Sequence, residues 1–176
     1  GPLRAVKPLY QAANIACAVT LAEAYLGRVL DVGPLAGSVA ACPTPGRFDA
    51  LSAAPLHLID AAHNPQSIRA FLASMAEVAP RVDERPALLC AVLADKDVDG
   101  IVGLLAPAFP RVVVTATQSP RALSAERLAE VFRAHGVEPV AVYKTVAEAT
   151  RALAGQDYVA VGSITLAGEV AGLLGR

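Results

Sequence analysis

The sequence predicts an α/β fold in which a doubly wound, mainly parallel sheet of about five or six strands is flanked by helices. After residue 46, short apolar segments of strand length alternate with longer segments of helical periodicity, joined by short loops. This alternation is typical of parallel strands with crossover helices. Hydrophobic residues make up 55% of the chain and charged residues 18%, as in sheets that are covered on both faces. Helices are therefore expected on both faces of the sheet, as in Rossmann-like folds.

The first third of the chain predicts two helices and a boundary. Residues 10–26 predict a helix that ends at Gly27 and is apolar over most of its circumference, so we expect neighbours on more than one of its sides. A short amphipathic helix over residues 32–41 is opened by Asp31. Two prolines and a glycine within residues 42–46 mark the best domain boundary in the chain.

Strand and helix segments then alternate to the end of the sequence. The predicted strands cover residues 56–59, 87–93, 111–115, 139–143 and 158–161, and the helices that follow them cover residues 65–79, 98–108, 125–135, 146–154 and 166–174. Asn64 and Pro65 suit the N-cap and the first position of a helix. Thr145 and Glu148 have the spacing of a capping box.

Composition excludes several classes of partner. Fifteen basic and sixteen acidic side chains give a formal net charge of -1, and no block of Lys and Arg occurs, so we expect neither a nucleic-acid nor a membrane partner. No run of about eighteen apolar residues is present, which argues against a transmembrane span. Cys17, Cys42 and Cys90 lie far apart in apolar surroundings, and we expect reduced, buried thiols and a cytoplasmic location. The start at Gly1 lacks Met and a signal-peptide pattern, so we expect a fragment of a longer chain or a cloning scar.

The strongest candidate site follows the strand over residues 56–59, where Asp60, His63 and Asn64 precede a helix. In open α/β sheets, ligands bind at the carboxyl ends of strands and near helix N-termini. A structural explanation is about as good: Asn64 caps the helix and Asp60 satisfies local N–H groups, although His63 is then left without a purpose.

Other polar loops follow the remaining strands. They are the Asp95-Lys96-Asp97 turn, the loop over residues 115–122, and Gly162-Ser163-Ile164-Thr165 after the last strand. Ordinary turns, with Asp97 as a helix cap, explain them at least equally well. Arg47 follows the predicted linker, where a guanidinium can close on a phosphate; the alternative is a surface arginine with Phe48 in the core. His57 and His135 are expected to be structural.

Several sequence motifs are absent. The chain contains no GxxxxGK[ST] phosphate loop, no GxGxxG, no GxSxG, and no HExxH or CxxC metal spacing. A parallel sheet with a polar carboxyl edge but no phosphate loop is typical of one half of a site.

Six short motifs in one order carry a resemblance to a known family. They are Gln11-Ala12-Ala13-Asn14, Pro45-Gly46-Arg47-Phe48, Asp60-Ala61-Ala62-His63-Asn64-Pro65, Asp95-Lys96-Asp97, Ser119-Pro120-Arg121-Ala122-Leu123 and Gly162-Ser163. Together they resemble the C-terminal part of the folylpolyglutamate synthase/dihydrofolate synthase family of Mur ligases. The resemblance covers almost the whole chain, and the segment from Asp60 to Pro65 is its most specific element.

The resemblance implies an ATP-dependent ligase that adds L-glutamate to dihydropteroate or folates in the cytoplasm. Residues 1–42 would be the tail of a central ATP-binding domain, and residues 43–176 the C-terminal domain. A substrate carboxylate is phosphorylated, the amine of glutamate attacks the acyl phosphate, and ADP and phosphate leave. ATP and magnesium are the implied cofactors, with the magnesium ligands mainly in the missing upstream domain, which is also the implied partner.

The resemblance also assigns roles to residues. Asn14 would contact adenine, Arg47 the ATP phosphates, and Asp60 the ribose and the neighbouring domain. His63 and Ser163 would form the glutamate pocket, with His63 and Asp60 as the catalytic residues. No metal ligand is assigned to this chain.

One residue departs from the family pattern, and two other functions remain open. Tyr10 stands where the family usually has histidine. Without the upstream phosphate loop, we expect the chain to be inactive on its own. The alternatives are the C-terminal domain of another Mur-type amino-acid ligase and a stand-alone, non-catalytic nucleotide- or amino-acid-binding domain.

Overall fold

The computed structural model describes residue 8 and residues 10–175. The strands in this part of the chain form a single sheet. Six strands occur in this part of the chain: β1 (Asp49–Ala53), β2 (Leu56–Ile59), β3 (Ala87–Cys90), β4 (Val112–Val114), β5 (Ala141–Val142) and β6 (Tyr158–Val161). Their order across the sheet is β1-β2-β6-β3-β4-β5. β1 pairs with β2 antiparallel, and the other neighbours are parallel. The predicted α/β fold with a mainly parallel sheet is confirmed.

Helices lie before the sheet and between its strands. They are α1 (Tyr10–Leu26), α2 (Val32–Ala41), α3 (Pro65–Val78), α4 (Val98–Leu105), α5 (Ala125–Ala134), α6 (Val146–Ala152) and α7 (Ile164–Leu173), with short 3₁₀ turns at Val82–Glu84 and Ala106–Ala108. The predicted caps are confirmed: Asn64 Oδ1 accepts a hydrogen bond from the Ser67 N–H at 2.8 Å, and Thr145 and Glu148 form a capping box.

Two apolar layers cover the sheet, one on each face. Leu88 and Cys90 of β3 point into a core that is built with α3, α4 and α5. The alternating residues Ala87 and Leu89 point into a second core with α6 and α7. Successive apolar side chains of one strand therefore pack into the two cores in turn, as in a sheet with helices on both faces.

The structure differs from the sequence prediction in several elements, and the strand predicted over residues 87–93 ends at Cys90. β1 was not predicted, because Asp49–Ala53 contains polar and small residues and is only partly buried. It is nevertheless a strand, since it pairs with β2 across a short turn at the sheet edge. The helix predicted over residues 98–108 ends at Leu105 and continues as a 3₁₀ turn that contains Pro107, which has no N–H to donate to an α-helix. β5 is reduced to Ala141–Val142 at the opposite edge.

The N-terminal helices lie outside both cores. Within the described residues, α1 packs mainly on α3, and Gln11 is its one buried residue. Leu21 and Tyr25 are 72% and 88% exposed. The expectation that α1 has neighbours on more than one side is therefore not met by this part of the chain.

The cysteines also differ in burial, according to whether they lie in the sheet or before it. Cys90 is completely buried in β3, and burial raises the pKa of its thiol to about 12. Cys17 and Cys42 are exposed, so the expectation of three buried thiols was wrong for two of them. The reason is that α1 and the segment after α2 lie outside the cores. Among the described helices, none combines the length and apolar character needed to cross a membrane.

Tyr158 and His57 form a buried aromatic pair. Their rings stack with centroids 4.4 Å apart. Neither the Tyr158 hydroxyl nor either ring nitrogen of His57 has a hydrogen-bond partner among the described residues. A buried hydroxyl without a partner opposes folding, whereas the ring that carries it favours folding.

We therefore predict that Tyr158→Phe leaves the free energy of unfolding unchanged or raises it by up to about 1 kcal/mol. Tyr158→Ala, the control that removes the ring, is expected to lower it by about 3–5 kcal/mol. Urea unfolding of both variants measures the difference. A loss of more than about 1 kcal/mol for Tyr158→Phe would mean that the hydroxyl has a partner, such as a buried water.

Candidate functional site

The candidate site lies where the carboxyl ends of the parallel strands meet. Asp60 and His63 follow β2, Gly162 and Ser163 follow β6, and Thr115 follows β4. Because β2, β6, β3 and β4 are consecutive neighbours in the sheet, these segments are brought to one edge. The sequence predicted this clustering.

Gly162 lies where the loops after β2, β3 and β6 approach one another. Its backbone φ is +118°, a conformation that side chains disfavour, and its N–H donates to the Ala62 carbonyl at 3.1 Å. A Cβ at this position would lie 2.8 Å from the carbonyl oxygen of Ala91. The close approach of the loops after β2, β3 and β6 therefore depends on glycine here.

Ser163 begins a row of hydroxyl groups at the N-terminus of α7. It is buried, and its Oγ accepts a hydrogen bond from the Thr165 N–H at 3.1 Å. The same Oγ is 2.5 Å from Thr165 Oγ1, which donates to Thr117 Oγ1 at 3.4 Å. Ser163, Thr165 and the loop of Thr117 were all candidates from the sequence, but the hydrogen bonds between them were not predicted.

His63 presents one ring nitrogen to the surroundings. Its Nδ1 lies 2.9 Å from the Ala61 carbonyl oxygen, and a hydrogen bond to a carbonyl requires the hydrogen on Nδ1. Nε2 then carries the lone pair, and the structure shows no partner for it among the described residues. A half-buried imidazole held in this way can accept a proton or a hydrogen bond from a ligand.

Asp60 is buried, with 1% of its surface exposed, and both oxygens of its carboxylate accept hydrogen bonds. Oδ2 accepts from the Tyr10 hydroxyl at 2.7 Å and from the Phe48 N–H at 2.8 Å, and Oδ1 accepts from the Ala62 N–H at 2.8 Å. Burial raises the pKa of the Asp60 carboxyl above its usual value, although these hydrogen bonds and the charge of Arg47 oppose the shift. Burial and the charge of Asp60 likewise raise the pKa of the Tyr10 phenol.

Arg47 lies on the wall of a cavity of about 690 Å³ between the linker and α7. The wall is mostly apolar and includes Ile59, Ala61, Ile164 and Ala167. The guanidinium has no ion-pair partner in the part of the chain that the structure describes. The cavity has the size and apolar lining of a small-molecule site, with one cation to bind an anionic group.

Hydrogen bonds and packing hold the chain on both sides of Arg47. The Gly46 carbonyl accepts from the Ala61 N–H at 2.8 Å, and the Arg47 N–H donates to the Thr44 carbonyl at 3.1 Å. Phe48 has a positive φ of 51° and packs its buried ring 5.9 Å from that of Phe71. The two interpretations of this segment are therefore compatible, since Phe48 is in the core and Arg47 faces a cavity.

The remaining candidates lie further from this centre. Asn14 is exposed one turn along α1, and its Nδ2 donates to Gln11 Oε1 at 3.3 Å. Arg121 Nη1 lies 3.1 Å from Asp95 Oδ2 in an exposed ion pair, and Asp97 caps α4. No direct contact joins Asn14 to Arg47, or His63 to Ser163, among the described hydrogen bonds.

Comparison with known proteins now identifies the family. A family model described as "Mur ligase, glutamate ligase domain" matches residues 46–163. The chain belongs to the Mur ligase family.

Its relatives are folate enzymes. The dihydrofolate synthase/folylpolyglutamate synthase of Mycobacterium tuberculosis is 42% identical over 125 residues, which are 68% of this chain and 25% of that protein. The folylpolyglutamate synthase of Lacticaseibacillus casei is 30% identical over 118 residues, covering 65% of this chain and 27% of the relative. The chain thus spans about a quarter of the length of these curated relatives. The resemblance predicted from the motifs is confirmed.

Solved structures give the same result. The M. tuberculosis folylpolyglutamate synthase complexed with ADP and AMPPCP superposes with a TM-score of 0.87 at 31% identity, covering 97% of this chain and 41% of that one. The bifunctional folylpolyglutamate synthase/dihydrofolate synthase of Yersinia pestis, complexed with AMPPNP and Mn ion, has a TM-score of 0.70 at 28% identity, over 84% of this chain and 35% of that one.

The side chains that the structure describes show no cluster of metal ligands. Among the described residues, no group of three or more His, Cys, Asp or Glu side chains lies together in a way that could hold a metal ion. The oxygen-rich ligand set that magnesium prefers is therefore not assembled here.

Gly162 provides the first test of the site. We predict that Gly162→Ala lowers the free energy of unfolding by about 3 kcal/mol or more, because the added methyl meets the Ala91 carbonyl and the backbone is strained. Gly168→Ala is the matched control: nothing lies within 4 Å of its added Cβ on α7. There, alanine should stabilise by about 0.5–1 kcal/mol. Urea unfolding that gives equal effects for both would contradict the close approach.

Asp60 provides a test that depends on pH. Because its folded-state pKa is raised above the usual 3.8, the folded protein takes up this proton at a pH where the unfolded chain is still ionised. This uptake stabilises the wild type as pH falls through the folded-state pKa, and the gain is complete below about 3.8. Asp60→Asn cannot take up the proton.

The advantage of wild type over Asp60→Asn in free energy of unfolding should therefore grow as pH falls from 7 to about 4, and be constant below that. Urea unfolding at stepped pH values measures it. An advantage that shrinks over this range would show that the hydrogen bonds outweigh burial and lower the pKa instead.

Proposed function

We propose that this chain is the glutamate- and ATP-side C-terminal domain of a cytoplasmic ligase that adds L-glutamate to dihydropteroate or folates. The observation that carries the proposal is Arg47, a cation without an ion-pair partner among the described residues. It lies on a cavity wall within the segment that matches the glutamate ligase domain. The identity to folate-specific relatives supports the substrate class. We assign residues 1–42 to the tail of a preceding domain and residues 43–176 to this one.

Charge and position, rather than covalent catalysis, explain what these residues would do. ATP converts the substrate carboxylate into an acyl phosphate, and Arg47 would neutralise phosphate charge from the linker. Asn14 would contact the adenine from α1. An arginine suits this task because its guanidinium donates several hydrogen bonds in a fixed plane.

His63 and Ser163 would receive the incoming glutamate. The N-terminus of α7 and the Ser163 hydroxyl favour a carboxylate, since helix N-termini attract anions. Nε2 of His63 would accept the proton that the glutamate amine loses as it attacks the acyl carbon and phosphate leaves. The amide bond forms as the bond from the acyl carbon to the phosphate oxygen breaks.

An enzyme assay tests this function. We expect the full-length protein to form ADP from ATP and magnesium only when glutamate and dihydropteroate or a reduced folate are both present. The isolated chain should show no ATP hydrolysis, because its sequence has no GxxxxGK[ST] phosphate loop. ADP formation that does not depend on a pteridine would overturn the folate assignment and favour another Mur-type amino-acid ligase. Micromolar binding of glutamate or ATP by the isolated chain in calorimetry would favour a stand-alone binding domain.

Arg47 can be tested in the same assay. We predict that Arg47→Ala lowers kcat/KM for ATP about 100-fold, since loss of a charge-stabilising donor costs roughly 3 kcal/mol. Arg69→Ala removes an exposed arginine from α3 and is the matched control, with activity expected within about twofold of wild type. Equal, small effects of the two substitutions would remove Arg47 from the nucleotide site.

A further inference from the structure

Asp60 is placed to hold the protein together rather than to contact a ligand. With 1% of its surface exposed and three internal hydrogen bonds, its carboxylate has no face open to the cavity or to solvent. Burial closes the carboxylate to a ligand hydroxyl, although Oδ1 accepts only one hydrogen bond. A direct contact from Asp60 to a bound ribose is therefore not offered by this arrangement.

The three donors lie on both sides of the linker over residues 42–46. The Tyr10 hydroxyl comes from the first turn of α1, fifty residues before Asp60. The Phe48 N–H comes from the segment just after the linker, twelve residues before Asp60. One carboxylate oxygen, Oδ2, accepts from both. The end of β2 is thus fastened to the helix before the linker and to the chain after it.

These bonds also determine the conformation around Arg47. Phe48 holds a φ of +51°, which is unfavourable for a phenylalanine and persists only when its surroundings impose it. The hydrogen bond to Asp60 and the packing on Phe71 impose it from two directions. On the other side of Arg47, the Gly46 carbonyl is held by the Ala61 N–H. Both neighbours of Arg47 in the chain are therefore hydrogen-bonded to the loop after β2.

We propose that Asp60 is a positioning residue that fastens α1 and the Phe48 backbone to the end of β2 and so aims Arg47 into the cavity. The inference rests on the proposed function, because Arg47 is the nucleotide-binding group that it invokes. A phenol suits the position of Tyr10, since it donates to Asp60 without adding a second positive charge beside Arg47.

A double-mutant cycle in the full-length ligase tests whether Asp60 acts through Arg47. Asp60→Asn should raise KM for ATP about tenfold while kcat stays within about twofold, and Tyr10→Phe should change KM in the same direction by less. In the Arg47→Ala background, Asp60→Asn should change KM by less than about twofold, because the group it positions is gone. Tyr25→Phe, on an exposed tyrosine of the same helix, should change neither constant.

Two results separate the inference from the proposed function. If Arg47→Ala weakens ATP use but Asp60→Asn has the same effect with and without Arg47, the positioning role is overturned and the function stands. If Arg47→Ala changes nothing, the nucleotide role of Arg47 fails. A measurement that needs no nucleotide then tests separately whether Asp60 fastens the chain around Phe48.

That measurement is trypsin cleavage of the Arg47–Phe48 bond, followed by mass spectrometry. Wild type should be cleaved slowly there, and Asp60→Asn and Tyr10→Phe about tenfold and threefold faster, because cleavage follows local opening. Tyr25→Phe is again the control. If Asp60→Asn does not fold cooperatively, Tyr10→Phe alone carries the test. Wild type cleaved as fast as both variants would overturn the proposal.

Discussion

The structure around the candidate site depends on the need of one buried carboxylate for hydrogen bonds inside the protein. Asp60 ends β2 in the interior, where an ionised group without partners would be strongly unfavourable. Its three donors come from α1, from the segment after the linker, and from its own loop. Satisfying this one group therefore joins α1, which lies outside both cores, to the end of β2.

The edge of the sheet supplies the second constraint. Parallel pairing brings the ends of β2, β6 and β3 together, and Gly162 allows their loops to approach closely. Ser163 and His63 then follow on neighbouring strand ends, each held by a backbone group. These contacts fix both side chains relative to the sheet, as the proposed placement of substrates requires. The cavity beside Arg47 lies against the same loop after β2, through Ala61.

Local signals made much of the fold predictable. The capping residues Asn64 and Thr145 and the alternation of apolar segments predicted the helices and the parallel strands near their observed places. β1 was missed because an edge strand paired on one side needs no apolar run. The exposure of Cys17 was missed because periodicity shows which residues are apolar, not which neighbours are present to cover them.

The candidate site was predictable as a set of residues, but not in its contacts. Asp60, His63 and Ser163 were recognised because they follow strands, and Arg47 because it follows a proline-rich linker. The hydrogen bond from Tyr10 to Asp60 spans fifty positions and has no periodic signal, so sequence reasoning saw Tyr10 only as a departure from a family pattern. Ser163 and Thr165 belonged to the same candidate loop, but nothing in the sequence indicated the contact between their hydroxyls.

The backbone amide of Phe48 reports most directly on the central claim, that the Asp60 carboxylate fastens the linker to the sheet. Amide hydrogen exchange can be measured by NMR in wild type and Asp60→Asn. The amides of Phe48 and Ala62 report on the hydrogen bond that each donates to Asp60. We expect exchange at Phe48 to be at least about tenfold slower in wild type than in Asp60→Asn. Equal exchange rates at Phe48 in the two proteins would contradict the account.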